Sequence, residues 1–117
     1  MRIRCITKQL SLGQKKIQEY FPPEVLTLAD NLNIPIILNL PSVITTCLDD
    51  LLNLIKSFPH LRIVIAQLGS SKQVIPELQE AFEKVAKFET VRMDTAMNPT
   101  AEVVRLALST FGHERVM

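Results

Sequence analysis

Three polar residues stand at the carboxyl ends of short apolar runs: Asn39 after IPIIL, Gln67 after RIVIA and Asp94 after VRM. In parallel α/β architectures the ligand site lies at the carboxyl ends of the strands. These three are therefore expected to converge on one rim and bind substrate there, joined by Lys8 if Arg2 to Ile6 is also a strand. Two amides and one carboxylate can orient a small molecule, but amides are poorer first-row metal ligands than imidazole or carboxylate. The simpler reading is that all three satisfy loop backbone, as strand-end polar groups commonly do in any α/β protein.

Other reactive side chains are less well placed. His60 in FPHL and His113 in GHE each precede a strand, on the opposite rim, with no Cys, Asp or second His at metal spacing. They read as exposed loop residues. Cys47 falls near a helix start, which can lower a thiol pKa, but no histidine shares its rim to act as base. It reads as small, partly buried filler. Gly69-Ser70-Ser71 lies between a strand and a helix, where backbone amides can receive an anion. It lacks the further glycines of a dinucleotide fingerprint and the lysine of a phosphate loop, so an ordinary turn is expected. Asp49-Asp50 and Lys15-Lys16 read as solvated faces.

The elements that must position these residues follow from periodicity. Four segments show the helical spacing i, i+3, i+4, i+7: Val25, Leu28, Ala29 and Leu32, opened by Pro22-Pro23-Glu24; Leu48, Leu51, Leu52 and Ile55, with Thr45 or Thr46 as N-cap; Leu78, Ala81, Phe82 and Val85, with Pro76 near the start; and Val104, Ala107, Leu108 and Phe111, with Asn98-Pro99 as cap and first residue and Gly112 as stop. Between them, Ile34 to Leu38, Arg62 to Ala66 and Thr90 to Met93 are short, apolar and mostly non-alternating, as strands buried on both faces of a parallel sheet are. Val116-Met117 reads as the start of another strand. No Asn-Gly or Asp-Gly hairpin signal argues for antiparallel pairing. The strand ends recur at roughly 28 residues, the length of a βα unit in a (β/α)8 barrel or a doubly wound sheet. Residues 8 to 21 read as an extended loop and LGSSKQ as a short turn.

Composition sets the outer bounds. The chain has 117 residues, 47% of them hydrophobic, enough for one domain with a core and too few for two. Thirteen basic and twelve acidic residues leave a formal net charge of +1, with no basic face suited to nucleic acid. No apolar run is long enough to span a membrane, and MRIRCITKQLS does not read as a secretory signal. Cys5 and Cys47 form neither a disulfide framework nor a metal knuckle, which suits a reducing, cytoplasmic setting.

Three stretches in order, ADNLNIPIILNL, LLNLIKSFPHLRIVIAQLG and VRMDTAMNPTAEVVRLALSTFGHERVM, resemble the amidohydrolase-related (amidohydrolase 2) metal-dependent hydrolases. These form a TIM-barrel family that includes decarboxylases and lactonases. The likeness runs over roughly residues 22 to 117. FPHLRIVIAQLG is similar to the family phrase in which a strand ends in His-Leu-Gly. FGHERVM is similar to the Phe-Gly-x-Glu-Arg phrase that leads into a strand bearing a catalytic aspartate.

The resemblance implies a C-terminal half of the barrel, with about four parallel strands in one partial domain. It also implies where ligands to a divalent metal such as zinc or manganese would stand. Asn39 occupies the place of one histidine ligand and Gln67 that of a second. The aspartate's place would fall a few residues past Met117, and the first strand's His-x-His has no counterpart. The expectation is a truncated relative, bound to no metal and catalytically inactive, serving as a binding or assembly module. The competing reading is part of an active hydrolase or lyase completed by another chain or by further strands. A flavodoxin-like module with LGSSKQ as an anion loop is a third.

Half a barrel leaves open edges, and Ile36, Leu38, Val64 and Ile65 are expected to need a cover. A homodimer, a second barrel fragment or residues 1 to 21 could supply it; neither nucleic acid nor membrane is expected as partner.

Overall fold

The computed structural model describes residues 6–9, 22–40, 42–96 and 98–117, the first group by backbone alone. In chain order these form β1 (Ile6–Gln9), α1 (Pro23–Asn31), β2 (Ile36–Asn39), α2 (Leu48–Ser57), β3 (Ile63–Ile65), α3 (Pro76–Ala86), β4 (Val91–Met93) and α4 (Ala101–Phe111), with a short 3-10 turn at His113–Arg115. The four strands are parallel and follow one another in the order β1-β2-β3-β4. A parallel bridge joins Met93 to Val116, and Met117 N–H donates to Met93 O at 2.8 Å. The last two residues thus take up the position of a fifth strand. This is the sheet of a partial TIM barrel.

Register explains how the faces are used. Ile36, Ile63 and Val91 are paired, as are Leu38, Ile65 and Met93. All six are fully buried and belong to one core with the helices. That core also contains Leu26, Leu51, Leu54, Leu78, Phe82 and Val103. Burying each large side chain of this kind contributes about 1.5–3 kcal/mol. Phe82 meets Phe111 edge to face with centroids 5.7 Å apart, joining α3 to α4.

Side chains alternate along a strand, so Ile37, Val64 and Arg92 lie on the other face. The expectation that Ile36, Leu38 and Ile65 line an open inner face is corrected, since the helices cover them. Val64, which is on that face, is already only 7% exposed.

The helical stripes need smaller corrections. In α1 the sheet-facing residues are Leu26 and Ala29, while Leu28 and Leu32 are 54% and 59% exposed. Its apolar residues spread around more than half the helix, so periodicity alone admits two rotations. In α4 Ala107 and Phe111 are buried as the expected stripe has them, while Val103 is buried and Val104 and Leu108 are half-buried. Helix α2 starts from Cys47 rather than Thr45 or Thr46, with no side-chain cap. Thr100 is the N-cap of α4, and the Asn98 side chain accepts from its N–H at 3.1 Å. Of the expected strand Arg2 to Ile6, only Ile6 is among the described residues, and it opens β1 as described; residues 2 to 5 lie outside them.

Candidate functional site

Strand pairing continues one residue past β2 and β3. Ala66 N–H donates to Leu38 O at 2.9 Å and Asp94 N–H to Ile65 O at 2.9 Å. With Leu38, Ile65 and Met93 in register, the next row across the sheet is Asn39, Ala66 and Asp94. By alternation this row lies on the face away from the helices, at the carboxyl end. Asn39 and Asp94 are both half-buried and sit two strand spacings apart, about 10 Å. Arg92 stands two residues below Asp94 on the same face. Backbone places Gln9 beside Asn39 and Lys8 beside Leu38.

Asp94 is partly occupied. Its Oδ1 accepts the Ala96 N–H at 2.6 Å, as the simpler reading of strand-end polar groups anticipates. A carboxylate retains further acceptor capacity after one such bond.

Gln67 comes one residue beyond the row, where the backbone changes hand. Gln67, Leu68, Gly69 and Ser70 have φ of 57°, 52°, 68° and 59°, a full left-handed turn. Such a conformation costs roughly 1–2 kcal/mol for each non-glycine residue, so the surroundings must hold it. Leu68 N–H donates to Asp94 O at 2.7 Å, Gly69 N–H to Ala66 O at 3.1 Å, and Ile44 N–H to Gly69 O at 2.9 Å. The Leu68 side chain is fully buried. Gly69 packs so closely that a Cβ there would lie 2.7 Å from Ile44 Cβ. The Leu68 and Gly69 amides are thus already committed to protein carbonyls.

Asn98 locks the same turn from the β4–α4 loop. Its Nδ2 donates to Gln67 O at 3.1 Å and to Ser71 O at 2.7 Å. From sequence alone Asn98 reads only as a helix cap. An asparagine ahead of a proline signals local backbone bonding, whereas its partners 27 and 31 residues away depend on the sheet register.

Beside this turn lies a cleft of about 630 Å³, lined from the β2–α2 loop, the left-handed turn, the segment into α3 and the β4–α4 loop. Gln67 and Asn98 are in its wall; Asn39 and Asp94 are not. All three residues stand at the carboxyl end of the sheet, Asn39 and Asp94 in one row and Gln67 in the wall of the adjoining cleft. Ser71 also lines the cleft, 4% exposed, and its hydroxyl has no hydrogen-bond partner among the described residues. Sequence gave no sign of that.

Cys47 lies at the start of α2, where its Sγ is 3.6 Å from Val43 O and 4.0 Å from Ser42 O. Burial is the main reason its thiol is pushed up to about 11, with nearby Asp50 adding to it and a backbone hydrogen bond opposing. This is the reverse of an activated nucleophile. His60 and His113 are both exposed.

A divalent cation needs about three or four good donors. The row supplies Asp94, an amide at Asn39 and no donor at Ala66. Among the described residues no group of three or more His, Cys, Asp or Glu gathers at one place. The described residues of this row do not supply such a donor set.

Comparison with known proteins places this architecture. No protein-family model matches the chain, and no curated protein matches it in sequence. Solved structures do match. An amidohydrolase 2 from Bifidobacterium longum subsp. infantis superposes with a TM-score of 0.67 at 21% identity, over 81% of this chain and 39% of that one. An amidohydrolase from Burkholderia multivorans, described with bound zinc, superposes with a TM-score of 0.72 at 12% identity, over 97% of this chain and 48% of that one. The chain has the fold of part of an amidohydrolase barrel and spans less than half the length of either neighbour. No helix among the described residues is long and apolar enough to cross a membrane.

Proposed function

We propose that this chain works as a single partial-barrel unit of amidohydrolase type that binds a small polar molecule at its strand-end rim, without metal-dependent turnover. The observation that supports it is the row Asn39, Ala66, Asp94, which offers an amide and a carboxylate about 10 Å apart and no imidazole. Asn39 can both donate to and accept from a ligand, and Asp94 can accept from a hydroxyl or amide. Gln67 would contribute from the adjoining cleft wall. The zinc of the Burkholderia protein belongs to that protein; the donor set here favours hydrogen bonding. A reducing compartment such as the cytoplasm suits a half-buried, unpaired Cys47.

Saturation-transfer NMR of the full chain against small hydroxy- and amide-bearing molecules tests this reading. Binding should survive a chelator and be lost in Asn39→Ala and Asp94→Ala. Binding or hydrolysis that requires added zinc or manganese would overturn it.

A second reading, an active hydrolase or lyase completed by strands from another barrel fragment or a second copy, is favoured by one feature. Val116 and Met117 already pair with β4 as a fifth parallel strand, and Thr95 N–H closes on Met117 O at 3.0 Å. Light scattering separates the two, because the completed barrel requires a dimer or a complex whereas the first reading does not.

A further inference from the structure

We draw no further inference here: the strongest candidate, the cleft between the left-handed turn and the β2–α2 loop, offers among its described lining residues one exposed cation, Lys72, and a Ser71 hydroxyl too buried to meet an occupant, and nothing in the structure shows what covers it.

Discussion

The side-chain amide of Asn98 donates to the main-chain carbonyl of Gln67 at 3.1 Å, across a gap of 31 residues in sequence. Its second proton goes to Ser71 O at 2.7 Å, so one side chain bridges both ends of the left-handed turn. The turn diverts the chain out of the Asn39–Ala66–Asp94 row and builds the cleft wall. Asn98→Asp removes both donors and sets a carboxylate against two carbonyls. It should destabilise the chain by about 2–4 kcal/mol, read from urea unfolding, with Asn98→Ala costing less.

Gly69 and Ser70 share the left-handed conformation but differ in surroundings. Gly69→Ala places a Cβ 2.7 Å from Ile44 Cβ and should cost about 2–4 kcal/mol. Ser70→Gly relieves a non-glycine residue at φ 59° and should leave stability unchanged or raise it by up to about 1 kcal/mol. Equal losses in the two variants would show that the turn is not held by close packing on Ile44.

Much of this arrangement was legible in the sequence. Continuous apolar runs and a repeat of roughly 28 residues gave the parallel order of β2, β3 and β4, and Val116-Met117 as the next strand. The row itself was not legible. Asn39, Gln67 and Asp94 all follow apolar runs, but Ile65 pairs with Leu38 and Met93, making Ala66 the residue in line. A shift of one residue exchanges faces in any strand, and only register decides it. Nor could periodicity show that Leu28 and Leu32 face outward, because α1 is apolar around too much of its circumference. Ser71 and Lys72 read as turn residues because the contacts that make a cleft of them come from distant loops.

Cys47 gives stability a defined pH dependence. Its thiol is raised from 9.0 to about 11 by burial first and by Asp50 second, so the folded chain keeps this proton to higher pH than the unfolded chain does. The contribution is fully present below about pH 9 and is lost as pH rises toward about 11. Allowing for partial exposure, it amounts to on the order of 1 kcal/mol. Cys47→Ala should flatten the unfolding free energy in that window, and the wild-type thiol should alkylate slowly near neutral pH.

Arg115 holds two helix ends together. Its guanidinium lies 5.1 Å from the Phe111 ring centroid and Nη2 donates to Ala86 O at 2.9 Å, tying the turn after α4 to the end of α3. Arg115→Met retains much of the apolar stem and should cost about 1–2 kcal/mol in urea unfolding.

Metal content tests the central claim most directly. The full chain, purified without chelator, is dialysed against zinc and separately against manganese, and bound metal is measured beside protein. The amide-and-carboxylate row predicts far less than stoichiometric metal, and no difference between wild type and Asp94→Ala. Stoichiometric zinc or manganese that disappears on Asp94→Ala or Asn39→Ala would contradict it.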